Sequence, residues 1–268
     1  MRPRRPLPTA SVGGMRVVVT GGAGDLGARV VRGLAGRGVE VVSASRRTGV
    51  DLSTGLGLEA VLADTDTVVH CADDTSAGDA VTVYGTRRLA DASADRGIHL
   101  VHVSIVGVDD HPLPYYRRKL RAEQGITAAG GPSTVLRATQ FHSLAAYFAR
   151  SLTRGPVTFT VGDMAFQPVD TDAVAARLVD LALGPRPGSP TRARDLAGPD
   201  VLDLPALARL VRRHRGASAP RIVHLPPVGA TMRAFARRQN VPAPGTADVA
   251  GRPFAAWLAE QPEVLTGR

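Results

Sequence analysis

A tyrosine and a lysine lie four residues apart near the middle of the chain, at Tyr115 and Lys119. Side chains at this spacing share one face of a helix, and Pro114 suits the first turn of such a helix. An ammonium group beside a phenol favours the phenolate, which lowers the pKa of the phenol from its usual value near ~10. We therefore predict that Tyr115 donates a proton at neutral pH and that Lys119 assists it. Ser104, at the end of the preceding predicted strand, would polarise a carbonyl group.

Lysine is otherwise missing from this arginine-rich chain. The sequence contains 33 lysine and arginine residues, and Lys119 is the single lysine among them. A compact ammonium group can approach both a phenol and a ribose, whereas a planar guanidinium group cannot. The solitary lysine therefore indicates a functional position. The alternative interpretation is an exposed helix whose lysine extends into solvent.

The elements that must position these side chains begin with a glycine-rich turn. Thr20–Gly27 follows the apolar run Val17–Val19, which is typical of a buried parallel strand, and it precedes a segment with helical periodicity. Glycines at a strand-to-helix turn bring main-chain N–H groups close to a pyrophosphate. The pattern predicts a dinucleotide site, and the alternative is an ordinary loop. The residues of this turn that we predict to bind the cofactor are Gly21, Gly24, Asp25, Leu26 and Gly27.

The second predicted strand, Val39–Ser45, ends at two arginines and has no carboxylate at its end. An acidic residue at this place binds the ribose 2′-hydroxyl of NAD, whereas an arginine accommodates the 2′-phosphate of NADP. The sequence thus predicts NADP (NADPH) as the cofactor, with NAD less favoured. Lys119 would also hold the nicotinamide ribose. Further cofactor contacts are predicted at Arg46, Arg47, Asp51, Leu52, Cys71 and Ala72.

Strands and helices alternate regularly up to about residue 154. This alternation predicts right-handed βαβ units and an α/β fold with a doubly wound parallel sheet of the Rossmann type. We expect residues 1–14 to be a disordered basic tail and residues 15–154 to form an NADP-binding core. Residues 155–268 are expected to form a substrate-binding lid that partly completes this core.

Composition narrows the possible classes of function. The formal net charge is +9, but aromatic residues make up only 4% of the chain and the basic residues are scattered, so we predict no nucleic-acid partner. No apolar run reaches the ~18 residues that would span a bilayer, so we predict no membrane association. The single cysteine excludes an internal disulfide and suits a reducing cytoplasm. No metal site is predicted, and the oligomeric state stays open.

Several motifs together resemble the short-chain dehydrogenase/reductase family, in particular its extended-to-atypical, NmrA-like branch. The turn Thr20–Gly27 is similar to the glycine-rich turn of that branch, and the segment Pro114–Glu123 resembles its Pro-Tyr-x-x-x-Lys-Leu-x-x-Glu helix. The segments Gly85–Ala90 and Leu136–Phe141 also fit. The resemblance implies a Rossmann fold that binds NADP. In the extended branch an asparagine often precedes the Gly-Thr pair by three residues, whereas this chain has Thr82 there.

The predicted function is NADPH-dependent reduction of a carbonyl or quinone-like group of a small organic molecule, with Tyr115 as the proton donor. The loop after the predicted strand Ser133–Arg137 should face the nicotinamide. The predicted substrate contacts are Tyr116, Gln140, Phe141 and His142. His70 is interpreted as a core histidine rather than a catalytic one. Two alternatives remain open: a non-catalytic NADP-binding sensor or scaffold, and a non-redox isomerase, dehydratase or cyclase on the same fold.

Overall fold

The computed structural model describes residues 14–74 and 78–262. The predicted tail at residues 1–14 lies outside these ranges, except for Gly14. The strands are β1 (Arg16–Thr20), β2 (Glu40–Ala44), β3 (Thr67–His70), β4 (His99–Ile105), β5 (Ser133–Ala138), β6 (Thr153–Arg154), β7 (Val157–Val161), β8 (Ala165–Phe166), β9 (Thr191–Arg192), β10 (Asp195–Ala197), β11 (Leu202–Asp203), β12 (Arg221–Leu225) and β13 (Ala247–Val249). The helices are α1 (Asp25–Ala35), α2 (Leu58–Leu62), α3 (Thr86–Asp95), α4 (Pro114–Ala129), α5 (His142–Ser151), α6 (Thr171–Leu183), α7 (Leu204–His214), α8 (Gly229–Ala236) and α9 (Phe254–Ala259).

Eight of the strands that the structure describes form one sheet. Seven of them follow each other in the order β2-β1-β3-β4-β5-β10-β13, and β9 pairs with β5. All of these pairings are parallel. The chain changes direction across the sheet at β1, whose neighbours are β2 and β3, and ligands of open α/β sheets bind at such a switch point. The predicted α/β fold with a doubly wound parallel sheet is confirmed.

Helices cover both faces of this sheet, which is why the middle of β1, Val17–Val19, is a continuous apolar run. Val17 and Val19 face one cluster that includes Leu178 of α6. Val18 faces the opposite cluster, which includes Ile126 of α4. Successive side chains of a strand point to opposite faces, so a strand that is covered on both sides needs apolar residues at every position. The rigid sheet that results fixes where the ends of β1, β3 and β4 lie.

The C-terminal part of the chain extends the main sheet and also forms a helical cluster and a small separate sheet. Strands β10 and β13 continue the main sheet beyond β5. The helices α5, α7, α8 and α9 enclose a third apolar cluster, which includes Phe166, Phe235 and Phe254. A small sheet of β6, β7 and β12 lies beside this cluster. No helix within the described ranges is both long and apolar enough to cross a bilayer.

A π-helical segment, Ala80–Gly85, precedes α3. Its backbone packs closely on the loop after β2, because a Cβ atom on Gly85 would lie 3.0 Å from Cβ of Leu52. The wider π turn places Thr82 in a buried position that faces the end of β3. Short π-helical segments are frequent at functional sites, and this one supplies a hydroxyl group to the candidate site described next.

Candidate active site

The glycine-rich turn between β1 and α1 has room for main chain only. Gly21 adopts a φ of 70°, a left-handed conformation that favours glycine. A Cβ atom on Gly21 would lie 2.6 Å from the main-chain nitrogen of Ala72, and one on Gly27 would lie 2.2 Å from the carbonyl oxygen of Gly21. Gly24 is the N-cap residue of α1. These residues fit the pyrophosphate of a dinucleotide, because the turn leaves the N–H groups at the start of α1 free of side chains.

A cavity of about 240 Å³ opens beside this turn, and we term it the turn cavity. It extends from the turn to the end of β2 and to the chain that leaves β3. Within it, the carboxylate of Asp51 accepts hydrogen bonds from the main-chain nitrogen and the hydroxyl of Ser53, both on the loop after β2. The predicted cofactor residues that line the turn cavity are Gly21, Gly24, Arg46, Asp51, Leu52, Cys71 and Ala72.

Five predicted cofactor residues do not line this cavity, and three of them, Arg47, Asp25 and Gly27, line neither cavity. The side chain of Arg47 is exposed at a 3₁₀ turn and lies outside the cavity lining. Asp25 forms an exposed ion pair with Arg29, whose nitrogen is 3.1 Å away. Gly27 packs against the back of the turn and therefore supports its shape without lining the cavity. Leu26 and Lys119 line the neighbouring cavity instead.

A second cavity of about 330 Å³ adjoins the turn cavity and shares Cys71, Ala72 and Asp73 with it. We term it the aromatic cavity, because rings from several elements of the C-terminal part meet the end of the main sheet there. Its apolar walls are formed mainly by Leu113, Tyr116, Leu144, Phe148, Phe166 and Phe235. The aromatic cavity thus lies between the carboxyl ends of β3, β4 and β5 and the helices that cover them.

Tyr115, Lys119 and Ser104 all line the aromatic cavity. Tyr115 and Lys119 lie on α4, which begins at Pro114, and Ser104 lies next to the end of β4. The side chain of Lys119 is only 4% exposed, and its Nζ donates to the carbonyl oxygen of Val103 at 2.9 Å. The alternative interpretation, in which this lysine extends into solvent, is therefore wrong.

Asp73 connects the tyrosine and the lysine, and the sequence analysis missed it. The Tyr115 hydroxyl donates to Oδ2 of Asp73 at 2.5 Å, and Nζ of Lys119 is 3.7 Å from the same oxygen. Thr82 donates to the other carboxylate oxygen at 2.5 Å. The one sequence signal was its position, directly after the small residues Cys71 and Ala72 that follow β3. Lys119 therefore acts on Tyr115 in this arrangement through a shared carboxylate.

The predicted lowering of the pKa of Tyr115 is wrong for this arrangement. Burial raises the pKa of the phenol well above its usual value, and the charge and hydrogen bond of Asp73 raise it further. Burial also lowers the pKa of Lys119, which Asp73 and Glu123 oppose. Burial would raise the pKa of Asp73, but Lys119, Thr82 and Tyr115 together hold it below its usual value. A neutral phenol thus lies beside an ionised carboxylate.

Two buried histidines, His70 and His102, lie close to Lys119, and burial keeps both neutral by lowering the pKa of each ring. His70 bonds Thr20 at 2.7 Å and Thr86 at 2.8 Å through its two ring nitrogens, and it stacks on His102 with ring centroids 4.9 Å apart. Burial lowers the pKa of His70 to about 3, and the nearby charge of Lys119 contributes. The interpretation of His70 as a core histidine agrees with these contacts, because neither ring nitrogen is left for a substrate.

Three of the four predicted substrate contacts line the aromatic cavity: Tyr116, Gln140 and Phe141. Tyr116 stacks on His111 with ring centroids 4.3 Å apart, and burial raises the pKa of its phenol to about 12. His142 lies elsewhere. Its Nε2 is 3.1 Å from the carbonyl oxygen of Pro168, and its ring packs against Phe254 and Trp257. The helical turn at the start of α5 directs this side chain away from the cavity.

Metal-binding side chains do not cluster in the described ranges: no group of three or more His, Cys, Asp or Glu residues could hold a metal ion there. Cys71 is a free thiol in the wall between the two cavities. Burial raises the pKa of this thiol to about 12. Cys71 is therefore protonated at neutral pH and acts as a small wall residue.

The glycine turn, the parallel sheet and the Tyr115–Lys119 helix together are typical of a dinucleotide-binding fold. Comparisons with known proteins find the same fold. Residues 15–201 match the RmlD substrate binding domain family. The chain belongs to this family. The chain shares its fold with a solved short-chain dehydrogenase/reductase superfamily protein, whereas the NmrA-like branch stays a prediction. No curated protein sequence matches the chain.

Solved structures share the fold at low sequence identity. The chain is similar to a short-chain dehydrogenase/reductase superfamily protein from Agrobacterium tumefaciens with bound NAD, at 19% identity and a TM-score of 0.65 over 93% of this chain and 96% of the other. The chain is also similar to UDP-N-acetylglucosamine 4-epimerase from Bacillus cereus, at 17% identity and a TM-score of 0.65 over 92% of this chain and 94% of the other. A third similar structure is the dTDP-4-dehydrorhamnose reductase from Bacillus anthracis in complex with NADP. It is 16% identical, with a TM-score of 0.61 over 79% of this chain and 85% of the other.

Proposed function

We propose that this protein is an NADPH-dependent reductase that acts on a carbonyl or quinone-like group of a small organic molecule. One observation supports this most directly. Ser104, Tyr115 and Lys119 line a largely apolar cavity whose wall, at Cys71–Asp73, is shared with the cavity beside the glycine turn. A reducible group in the aromatic cavity would therefore meet both a proton donor and a cofactor bound along the turn.

The cofactor proposal rests on the fit of the turn and on the end of β2. A Cβ atom at Gly21 or Gly27 would collide with main-chain atoms, which is the steric pattern of a pyrophosphate-binding turn. Arg46 lines the turn cavity at the end of β2, where a 2′-phosphate would find a cation. Among the similar solved structures, one holds NAD and another holds NADP, so Arg46 is the feature that favours NADP.

Each side chain has a proposed role in the reduction. A bound nicotinamide supplies the hydride that adds to the carbonyl carbon. As the carbonyl π bond breaks, its electron pair moves onto the oxygen; the Tyr115 hydroxyl, which donates to Asp73 in this structure, turns to that oxygen and gives it the proton that makes an alcohol. Ser104 donates a hydrogen bond to that oxygen, and Lys119 offsets the negative charge left on the phenolate. A proton from the solution then restores the Tyr115 hydroxyl, so that the reduction consumes one NADPH and one proton.

The substrate is proposed to differ from those named for two of the similar structures, which are a dTDP-sugar reductase and a UDP-sugar epimerase. Lys119 is the one cation among the described residues that line the aromatic cavity, and it is already paired with Asp73 and with the carbonyl oxygen of Val103. A diphosphate would therefore find no free positive charge in this lining. The apolar rings instead favour an uncharged organic body.

The test is NADPH oxidation with a panel of carbonyl and quinone acceptors, comparing Tyr115→Phe with the parent protein. We expect the variant to retain NADPH binding and to lose about 10²- to 10⁴-fold in kcat/KM, the usual range for a positioned proton donor. Tyr147→Phe is the matched control, because Tyr147 is exposed on α5 and outside both cavities. Equal turnover by Tyr115→Phe and the parent protein would remove Tyr115 from the mechanism.

The same experiment separates the two other functions that the sequence leaves open. Tight NADPH binding without oxidation by any acceptor would favour a sensor or scaffold. Conversion of a substrate with no net loss of NADPH would favour an isomerase, dehydratase or cyclase that keeps its nucleotide. Measuring bound nucleotide and product in the same sample distinguishes these outcomes from a simple reduction.

A further inference from the structure

The small sheet of β6, β7 and β12 turns polar side chains toward the core. Thr158 and Thr160 of β7 are 0% and 1% exposed. The hydroxyl of Thr158 bonds that of Thr153, which donates to the carbonyl oxygen of Ala149 in the third apolar cluster. This face of the sheet therefore points to the core. A sheet with one solvated face usually has the opposite arrangement, with its apolar face buried.

The opposite face of the small sheet is apolar and reaches solvent. Successive side chains of a strand alternate between the two faces, and paired residues of neighbouring strands share a face. Phe159 pairs with Val223, so both point away from the face of Thr158. Val223 is 37% exposed and Leu225 is 43% exposed. We term Val157, Phe159, Val223 and Leu225 the outer face, and none of the three apolar clusters of described residues includes any of them.

The main chain of β12 has a free edge beside the outer face. Among the described residues, β12 pairs with β7 alone. The N–H group of Arg221 donates to the carbonyl oxygen of Pro156 at 2.8 Å, so in this parallel ladder every second residue from Arg221 onward turns its main-chain groups to β7. The N–H and C=O groups of Ile222 and His224 therefore face away from β7. A further strand would pair with them.

Positive charge lies at one end of the outer face. Arg154 of β6 and Arg221 of β12 both pair with Val157 of β7, from its two sides, so they share the face of Val157. No ion pair among the described residues includes either arginine. Residues 204–247 contain eight arginines and no aspartate or glutamate, and residues 141–162 contain no acidic residue either. The segments that build this part of the molecule therefore leave its positive charge unneutralised.

The apolar outer face, the free edge and the positive charge together select one kind of partner. The apolar part of a lipid bilayer has no groups that pair with the free edge. A second copy that docked by the same surface would bring its own arginines against these ones. A nucleic acid would use the positive charge but would leave the aliphatic side chains and the free edge without partners. A strand of an acidic protein meets all three requirements.

We propose that the edge of β12 is a docking site for an extended segment of an acidic partner protein. The segment adds to the small sheet as a strand and pairs with the main chain of Ile222 and His224. Its side chains on the outer face are apolar beside Val223 and Leu225 and acidic where they reach Arg221. This docking site is independent of the proposed reductase function.

Three labelled peptides test the proposal on the full chain, with binding measured by fluorescence anisotropy. The acidic peptide is Glu-Glu-Thr-Val-Thr-Val-Thr-Glu-Glu, which carries carboxylates at both ends and so serves either strand direction. The basic peptide has lysine in place of glutamate. The blocked peptide is the acidic one with N-methyl groups on its three central residues, which cannot donate main-chain hydrogen bonds. The acidic peptide should bind about tenfold or more tightly than either of the others.

Variants at exposed positions locate the binding surface. Arg221→Glu should remove the preference for the acidic over the basic peptide, whereas Arg32→Glu, at an exposed arginine on α1, should leave it unchanged. Val223→Ser should weaken the acidic peptide about fivefold, because apolar contact is lost. Val249→Ser is the matched control, since Val249 is an exposed valine on β13, the edge strand of the main sheet.

The remaining outcomes would overturn the proposal. Equal binding of the three peptides, tightest binding of the basic peptide, or no binding of the acidic peptide at about 1 mM would each do so. Dimerisation of the parent protein that Val223→Ser abolishes, measured by sedimentation, would assign the surface to a second copy. Flotation with phosphatidylserine vesicles, or salt-sensitive binding of duplex DNA, that Arg221→Glu abolishes would assign it to a membrane or to a nucleic acid.

Discussion

The turn cavity and the aromatic cavity share the wall Cys71–Asp73, yet they are built in different ways. At the glycine turn the main chain itself forms the site, and the space that a Cβ would need at Gly21 or Gly27 is already filled by main-chain atoms. In the aromatic cavity the site consists of side chains, and their protonation depends on neighbours from β3, β4 and α4. A site formed by main-chain atoms can be predicted from the type and spacing of the glycines. A site formed by side chains can be predicted only when the fold shows which residues meet.

The sharpest way to break this comparison is to add one methyl group at the turn. Gly27→Ala would place a Cβ atom 2.2 Å from the carbonyl oxygen of Gly21, so the turn must move by an ångström or so. The main-chain N–H groups would then no longer meet the pyrophosphate, and the loss of two hydrogen bonds to a charged group, at about 1.5–3 kcal/mol each, costs about 10²- to 10⁴-fold in affinity. We expect a loss of this size in NADPH affinity, measured by fluorescence titration, with the fold retained.

The control for this change is Gly36→Ala at the end of α1. The nearest atom to a Cβ there is 3.5 Å away, an ordinary contact, and the φ of −65° suits alanine. NADPH affinity should therefore stay at the parent value. Parent-like NADPH affinity in Gly27→Ala would show that the turn is not the pyrophosphate site, and the contrast between the two cavities would lose its first half.

The next largest effect is expected at the buried ammonium group. Lys119→Met removes the cation that is 3.7 Å from Asp73 and leaves the carboxylate without its partner. Loss of one preorganised charge or donor in an active site costs about 10²- to 10³-fold in kcat. We expect this range for NADPH-dependent reduction and a much smaller effect on NADPH binding. Arg117→Met is the control, because Arg117 is an exposed cation on the same helix.

The contrast between the two cavities also explains how much of the structure can be predicted from the sequence. The parallel sheet, the glycine turn and the meeting of Tyr115, Lys119 and Ser104 were predictable, because periodicity and glycine spacing are local properties. Whether these residues bind cofactor and substrate stays a prediction. Asp73 could not be foreseen as the partner of Tyr115, since 42 positions separate them and only the packing of α4 against the end of β3 joins them. With both the burial of the phenol and the position of Asp73 unknown, the sequence predicts the wrong direction for the pKa of Tyr115.

His142 is a residue that the sequence places in the site and the structure places elsewhere. The loop after β5 was expected to turn Gln140, Phe141 and His142 toward the substrate. Gln140 and Phe141 line the aromatic cavity, but α5 begins at His142 and directs its side chain to Phe254 and Trp257. The direction of one side chain depends on the residue at which a helix begins, and sequence patterns fix such boundaries only within a few residues.

A pH profile separates the roles of Lys119 and Asp73. Because burial and Asp73 both raise the pKa of Tyr115, the phenol stays protonated in alkaline solution, and an alkaline loss of reduction in the parent protein reports Lys119, whose pKa burial lowers. Asp73→Asn removes the negative charge while Lys119 remains, so the pKa of the phenol should fall. A nearby charge shifts a pKa by about one to three units, and the alkaline loss of reduction should begin that much earlier.

Two measurements check this shift. The pH dependence of kcat/KM reports the acid in the free enzyme, and the tyrosinate absorbance of the parent protein minus that of Tyr115→Phe reports the phenol directly. Asp79→Asn is the control, because Asp79 pairs with Arg121 at the surface and lies outside both cavities. An alkaline limit that is identical in Asp73→Asn and the parent protein would mean that the carboxylate does not govern Tyr115.

The smallest expected effect is on the preference for NADPH over NADH. It can be tested within the turn cavity, because two adjacent arginines carry the same charge in different positions. Arg46 lines the cavity and Arg47 does not. A hydrogen bond to a charged group contributes about 1.5–3 kcal/mol, so Arg46→Ser should reduce the preference for NADPH over NADH by about tenfold or more in Kd. Arg47→Ser should change it little, apart from a weak effect that salt screens. Equal losses in both variants would mean that net charge at the end of β2, rather than the placement of one side chain, selects the cofactor.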